Sequence, residues 1–452
     1  MEDSLARISV KEKIGYGLGD MAANFVFQTL LAFQLIFYTD TFGLSATDAG
    51  TMLLVVGLVS GLFDPLVGII ADRTSTRWGR FRPWILWTAV PFGVMAVVAF
   101  VTPNFNATGK LVYAWVTYLL LMVIYSLNNV PYSALSGVMT GDPVERTSLS
   151  SYRQIGANAA GFIIQVGALP MVMFFGRGDN AKGYQTTMGV FGVLAAIFFV
   201  TTFFTTRERI QPDPSQKSSL GQDLKDLVKN GPWVTLFIVT VLIFVGLSMR
   251  TGVMLYYFTY NVGNPGLFSV FNFVGLGLLL VGVAYSPTLV RKYGSRNVFI
   301  GALALCAVFT GSLILIPASA PALVIAMEGL RQFSWGITAP LLWAMMADVA
   351  DYSEWKTGRR ATAMVFAGTV FGLKAGLGIG RAIASWVLSL FGYVPNVAQT
   401  AESLQGITLI ASIFSMIIFL AGVGMLFLYK IDAKTNLQMA TELAERRKKY
   451  GQ

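Results

Sequence analysis

Arg207-Glu-Arg-Ile-Gln-Pro-Asp-Pro-Ser-Gln-Lys-Ser-Ser-Leu220 is the stretch on which the fold turns. It opens the longest polar segment inside the chain, residues 207–231, and the sequence on either side is a succession of apolar runs. Before it, residues 21–39, 83–109, 111–141, 154–176 and 183–206 carry no Asp, Glu, Lys or Arg, and a run over about 46–72 is broken near its middle by Asp64. After it, 230–249, 251–290, 297–327, 382–401 and 403–429 are equally free of charge. The turn Asn261-Val262-Gly263-Asn264-Pro265-Gly266 divides the second of these, and further runs over about 323–350 and 360–390 are interrupted by Glu328, Arg331, Lys374 and Arg381. A helix needs about 20 apolar residues to cross the hydrocarbon core. The runs therefore predict an all-α membrane protein of twelve transmembrane helices. They form two pseudo-symmetric six-helix bundles, 1–206 and 232–431, joined by a middle loop, 207–231, and followed by a tail, 432–452. Within the loop, 220–228 reads as a short amphipathic helix.

Composition agrees and removes whole classes of function. Of 452 residues, 55% are hydrophobic and 12% charged, with mean hydropathy +0.63; soluble domains carry about 25% charged residues. Histidine is absent, which excludes His-based metal sites and His general bases. The one cysteine, Cys306, excludes an intrachain disulfide. The net charge of +10 comes from the loops. With the N-terminus inside, 25 of the 33 Lys and Arg fall in cytoplasmic segments and three outside (Lys110, Arg177, Lys182). That is positive-inside topology and not a nucleic-acid footprint. The expectation is a multi-pass protein of the bacterial cytoplasmic (inner) membrane with both termini cytoplasmic and no cleavable signal in Met1–Lys13. The basic tail is expected to lie along the inner membrane surface.

A charge inside the bilayer is costly, so each one calls for a partner or a function. Asp64 sits mid-span in Ser60-Gly61-Leu62-Phe63-Asp64-Pro65. Pro65 has no N–H to give the Gly61 carbonyl, so a carboxylate, a freed carbonyl and the Ser60 hydroxyl gather as oxygen ligands for Na⁺ or as a proton site. Span one places Asp20 and Asn24 one turn apart. On span four Tyr125, Asn129 and Ser133 share a face, with Ser126 and Asn128 beside them. Span five opens with Tyr152-Arg153-Gln154, and span eleven buries Lys374. Amides, hydroxyls and a guanidinium suit a polyhydroxylated ligand, whose groups both donate and accept. The competing reading is glue between helices. Trp343 is a candidate to stack on a sugar ring, with core packing the plain alternative. Glu328 and Arg331, spaced i,i+3, read as neutralising each other, whereas Arg250 has no evident partner in sequence. The glycines at 15, 17, 19, 372, 376, 378 and 380 lie in membrane helices and read as close-packing positions, not phosphate loops.

Two acidic–basic clusters echo each other about 210 residues apart: Gly141-Asp-Pro-Val-Glu-Arg146 after span four and Asp351-Tyr-Ser-Glu-Trp-Lys356 after span ten. Arg73, Arg77, Asp142, Glu145 and Arg146 in the first half, and Asp348, Asp351, Glu354 and Arg360 in the second, are the expected cytoplasmic gate. Each surface pair is worth only about 0.2–1 kcal/mol, but several together bias a two-state equilibrium.

Gly-Tyr-Gly-Leu-Gly-Asp at 15–20, Phe-Tyr-Thr-Asp at 37–40, Asp64-Pro65, Ala-Asp-Arg-Thr-Ser-Thr-Arg-Trp-Gly-Arg-Phe-Arg-Pro-Trp at 71–84, Asn-Asn-Val-Pro-Tyr-Ser-Ala-Leu at 128–135, Asp-Val-Ala-Asp-Tyr-Ser-Glu-Trp at 348–355 and Gly-Tyr-Val-Pro-Asn at 392–396 carry a resemblance over essentially the whole chain. The sequence resembles the glycoside–pentoside–hexuronide:cation symporters, the melibiose-permease-like branch of the major facilitator superfamily. The resemblance implies the major facilitator fold, alternating access, and a sugar held by residues of spans one, four and five. The matching positions are Asn24, Asn129 and Arg153, with amides where the permease has acids. Ser133 stands where the permease has a tryptophan near the sugar. Its cation site falls on Ser60, Asp64 and Ser126, one acid fewer than in the permease, with Lys374 as the neighbouring lysine. The asparagines are similar to members that carry xylosides, glucosides or related oligosaccharides.

The expected function is thus import of a glycoside with a cation, without enzymatic activity or cofactor, by a functional monomer. One carboxylate with neutral oxygens and a neighbouring lysine favours H⁺ over Na⁺ as coupling ion. The alternatives are a lysolipid:cation symporter, which the clustered amides and hydroxyls disfavour, and a polytopic membrane transferase, for which the loops lack an Asp-rich metal motif.

Overall fold

The computed structural model describes residues 8–140, 143–209, 228–357, 362–432, 434–436, 438–439 and 441–442. Among these residues twelve unbroken helical segments follow one another. They are α1 (Val10–Thr41), α2 (Ala46–Arg73), α3 (Arg82–Val98), α4 (Ala107–Met139), α5 (143–176), α6 (Asn180–Thr205), α7 (Gly231–Asn261), α8 (Leu267–Tyr293), α9 (Ser295–Leu315), α10 (Pro321–Thr357), α11 (Thr362–Leu390) and α12 (Ala401–Leu426). Ten have spans long and apolar enough to cross a membrane. The other two are α3, at 17 residues, and α10, which carries Glu328, Arg331, Asp348, Asp351 and Glu354 along its 37 residues.

Polar caps set where the helices begin. Ser9, Ser45, Asn106, Asp179, Asn230 and Thr400 each accept a hydrogen bond from the backbone N–H three residues on, at the starts of α1, α2, α4, α6, α7 and α12. Counting charges misplaces some ends. The charge-free run 83–109 yields a helix only to Val98, because Pro103, Asn104 and the capping Asn106 shape the turn into α4. The run 382–401 is the end of α11 and a connection in which Gly392 takes φ 67°. The expected helix over 220–228 lies, but for Val228, outside the described residues.

The chain forms two compact units, Met1–Gln216 with Val394–Val397 and Lys217–Tyr393 with Ala398–Gln452. Within the first, α1 packs on α5 and α6, α3 packs on α4 and α6, and α2 packs on α4. Within the second, α7 packs on α11 and α12, α9 packs on α10 and α12, and α8 packs on α10. The second set is the first with every helix number raised by six. The first helix of each unit also ends alike. Phe37–Thr41 and Tyr257–Asn261 are π-helical turns, Phe42 and Val262 bond back to the carbonyls of Phe37 and Tyr257, and Gly43 and Gly263 follow at φ 86° and 75°.

Small residues permit the closest crossings. A Cβ on Gly156 would collide with the backbone of Gly17, and one on Gly376 or Gly380 with the backbone of α7 at Val241 and Val245. The described first residues of the tail pack against their own unit. Met439 is 1% exposed in a core with Val349 and Tyr429, and Glu442 accepts the Trp355 indole N–H at 2.6 Å.

Arg250, which has no evident partner in sequence, belongs to a sealed triad. Its Nη2 donates to Glu328 Oε2 at 2.8 Å and its Nη1 to the carbonyl of Ala411 in the π-helical turn of α12. Arg331 pairs with Glu328 through Nη2 at 2.6 Å and Nε at 2.9 Å. All three side chains are at most 4% exposed. Removing one member of such a set leaves charge buried and unpaired. Glu328→Gln is expected to destabilise the protein by about 3–5 kcal/mol, measured as a fall in unfolding temperature of the detergent-purified variant. An unchanged temperature would show that the triad carries no structural weight.

Candidate functional site

The close crossing at Gly17 and Gly156 brings the start of α5 against α1. There Arg153 Nε donates to Asp20 Oδ1 at 3.1 Å. The guanidinium also lies over the Tyr132 ring, 5.4 Å from its centre. Tyr132 stacks on Tyr16 with ring centres 4.8 Å apart and donates its hydroxyl to the Tyr16 carbonyl at 2.6 Å. Asp20 is thereby buried, yet the Arg153 side chain keeps 34% of its surface exposed. One turn on from Asp20, the Asn24 amide donates to the Asp20 carbonyl at 2.9 Å, and its oxygen accepts from Gln28 at 3.4 Å.

Helix α4 supplies the next group. Tyr125 lies between the rings of Phe27 and Phe92, with centres 5.8 Å and 6.1 Å away. Asn129 and Ser133 follow along the helix, both half-buried. Asn128 is occupied otherwise: fully buried, it donates to Thr88 of α3 at 2.7 Å and serves as a strut between helices. Ser60 of α2 and Ser126 of α4 put their hydroxyl oxygens 3.3 Å apart, both buried. Asp64 is one turn further along α2, half-buried, and the helix continues unbroken through Pro65, whose side chain lies outside the described set. Tyr125 sits within electrostatic reach of both Asp20 and Asp64. The first unit thus brings Asp20, Asn24 and Arg153 into contact, pairs Ser60 with Ser126, and holds Tyr125 and Asp64 in the same unit. Lys374 and Trp343 belong to the second unit, Lys374 half-buried on α11 and Trp343 45% exposed on α10.

Of the expected gate, Glu145 is engaged inside its own unit, holding Lys13 Nζ at 2.9 Å and the backbone N–H of Ile8 at 3.2 Å. Arg73 and Arg77 are exposed, with Arg77 stacked on Trp78 at 4.7 Å. Asp348, Asp351 and Glu354 are half-buried on the last turns of α10. Asp142 and Arg360 lie outside the described residues, as does the side chain of Arg146.

Sequence reasoning missed the carboxylates that tie the α6 end to the rest of the first unit. Glu12 takes both Nη groups of Arg209 at 2.8 Å, and Glu208 accepts three successive backbone N–H groups, from Arg80, Phe81 and Arg82, at 2.8–2.9 Å. A hint was available in the Arg207-Glu-Arg209 run at a helix end. Its partners are more than a hundred residues away, and no local pattern reveals them.

Comparison with known proteins places this geometry. Residues 15–433 match the family model described as MFS/sugar transport protein. The inner membrane symporter YicJ of Escherichia coli K12 is 37% identical over 91% of this chain and 88% of its own length. The putative glycoside/cation symporter YagG of the same organism is 36% identical over 99% and 98%. The isoprimeverose transporter of Lactiplantibacillus pentosus is 35% identical over 96% and 91%. Among solved structures, a bacterial homologue of the human lysosomal transporter Spinster superposes with TM-score 0.70 at 12% identity, over 95% of this chain and 97% of that one, a likeness of fold. The chain is therefore a multi-pass membrane sugar symporter of the major facilitator type, not an enzyme, and it belongs to the MFS/sugar transport protein family, the glycoside–pentoside–hexuronide:cation symporters.

Proposed function

We propose that the protein imports a glycoside, of the xyloside, glucoside or related oligosaccharide class, together with a proton, by alternating access in a bacterial inner membrane with both termini cytoplasmic. The observation that carries this reading is the Asp20–Arg153 pair, buried at the acid and open at the arginine, in the same unit as Asp64 and the Ser60–Ser126 hydroxyl pair, with Tyr125 within electrostatic reach of both carboxylates. One aromatic residue thereby links the sugar-type polar set to the cation-type set. Arg153, held by Asp20 yet one-third exposed, keeps guanidinium N–H groups for sugar hydroxyls. Asn24, Asn129 and Ser133 supply neutral donors and acceptors. The same residue types suit the substrate named for the isoprimeverose transporter.

The coupling ion follows from the ligand set. Ser60 and Ser126 offer neutral hydroxyls already hydrogen-bonded to each other, beside one carboxylate. Na⁺ is stabilised by several oxygens and net negative charge, whereas a proton asks only for the Asp64 carboxyl group. Protonation of Asp64 in the outward-facing state would accompany sugar binding, and approach of Lys374 would favour release of the proton inside. The Gly61 carbonyl, left without a donor by Pro65, is the feature that speaks for Na⁺.

Three outcomes test the proposal. Asp64→Asn keeps the shape but neither carries a proton nor neutralises a cation. It is expected to abolish concentrative uptake while leaving sugar exchange; near wild-type accumulation would remove Asp64 from coupling. Arg153→Gln removes charged hydrogen bonds worth about 1.5–3 kcal/mol, so sugar affinity should fall about tenfold or more, read as competition among labelled xylosides, glucosides and isoprimeverose in proteoliposomes. Unchanged affinity would confine Arg153 to a structural role. Finally, an imposed pH gradient without Na⁺ should drive uptake in those proteoliposomes. Strong stimulation by Na⁺ at fixed pH, with no response to the pH gradient, would establish sodium coupling in its place.

A further inference from the structure

The connection between α2 and α3 and the end of α6 enclose a cleft of about 580 Å³ on the first unit. Five of its eleven lining residues are arginines, and the structure separates those held by a carboxylate or a carbonyl from the others. Arg82 donates to the Phe203 carbonyl at 2.7 Å and lies over the Phe203 ring. Arg209 is bound by both oxygens of Glu12. Arg77, Arg80 and Arg207 also line the cleft, and among the described residues no carboxylate lies within ion-pair distance of any of them.

The one acid in the lining, Glu208, is already committed. Its carboxylate accepts the N–H groups of Arg80, Phe81 and Arg82 at the N-terminus of α3, where the helix dipole favours an anion. Gly79, at φ 111°, lets it come that close, since a Cβ there would collide with the carboxylate. Three hydrogen bonds hold this wall of the cleft, and the lining sets one carboxylate against five arginines. Beside the arginines stand Trp78, half-buried, and Phe204, 72% exposed.

We propose that this cleft binds the phosphodiester headgroup of an anionic phospholipid. Guanidinium groups match phosphate oxygens in geometry and charge. The cleft lies where the apolar helices α2 and α6 end and α3 begins, and basic pockets at the cytoplasmic ends of membrane helices attract anionic lipids. The exposed Phe204 and the Trp78 ring provide an apolar edge for the start of an acyl chain, which a soluble phosphate would not use.

Native mass spectrometry of the purified, delipidated full-length protein tests this, with phosphatidylglycerol or cardiolipin supplied beside phosphatidylcholine. Retention of the anionic lipids over phosphatidylcholine is expected, and R80Q/R207Q should weaken it about tenfold. R207Q alone, at an exposed position, gives the same direction if the double variant is poorly folded. Equal retention of all lipids, or equal loss in R291Q/K292Q on the exposed end of α8, would overturn the proposal by showing diffuse attraction. Displacement of the lipid by millimolar inorganic phosphate would also overturn it, in favour of a soluble anion.

Discussion

A charge carried into the bilayer must be matched within reach of its own side chain, because lipid offers neither water nor counterion. The described charge pairs inside the helices obey this in two different ways. Glu328, Arg250 and Arg331 are sealed, with at most 4% of any side chain exposed, and a backbone carbonyl of α12 takes a further guanidinium N–H. Asp20 and Arg153 are matched but not sealed, because the arginine keeps a third of its surface open. The sealed set joins α7, α10 and α12 and has no face left for a ligand. The open pair can exchange part of its hydrogen bonding with a bound molecule at little cost. Exposure, more than charge, separates the sealed cluster from the open pair.

The duplicated packing shows how few interactions define the scaffold. Five helix pairings recur with helix numbers raised by six. Both units start with a helix that ends in a π-helical turn followed by a glycine at positive φ. Glycines let α1 meet α5 and α11 meet α7 at backbone contact, the means by which membrane helices gain packing energy without a hydrophobic drive between them. The scaffold thus rests on small residues and turn geometry, which leaves the polar positions free to diverge between the units.

That division decides what could be read from the sequence. The helices were legible because each is a long apolar run, and lipid enforces the pattern in one dimension. Ends set by caps were less so: α3 stops at Val98 although charges resume only at Lys110, because Pro103 and Asn106 form the turn. Of the candidate site, Asp20, Asn24 and Arg153 stood out as polar residues in apolar runs, and so did the Ser60–Ser126 pairing partners. What was not legible depended on distance in the chain. Arg250 meets a glutamate 78 residues on, and Glu12 an arginine 197 residues on. The repeated Phe37-Tyr-Thr-Asp-Thr-Phe-Gly43 and Tyr257-Phe-Thr-Tyr-Asn-Val-Gly263 would have given a sharper internal echo than the acidic clusters do. It is written in aromatic residues, which in a membrane protein look like lipid-facing filler.

The two π-helical turns fix the offset between the repeats at 220 residues, from Phe37 to Tyr257. By that offset Asp20 corresponds to Thr240, whose hydroxyl is turned back on the Leu236 carbonyl at 2.8 Å, and Asn24 corresponds to Phe244. The first helix of the second unit therefore presents no free polar group where its counterpart presents the sugar-type set. Its one intramembrane charge, Arg250, corresponds to Leu30 and is spent on the sealed triad. The two units share one packing plan, and the open acid–base pair lies in the first. A carrier needs one element that holds the ligand and another against which it moves. The open Asp20–Arg153 pair, Asn24 and the Ser60–Asp64–Ser126 group all lie in the first unit, whereas the charges Arg250, Glu328 and Arg331 of the second are sealed.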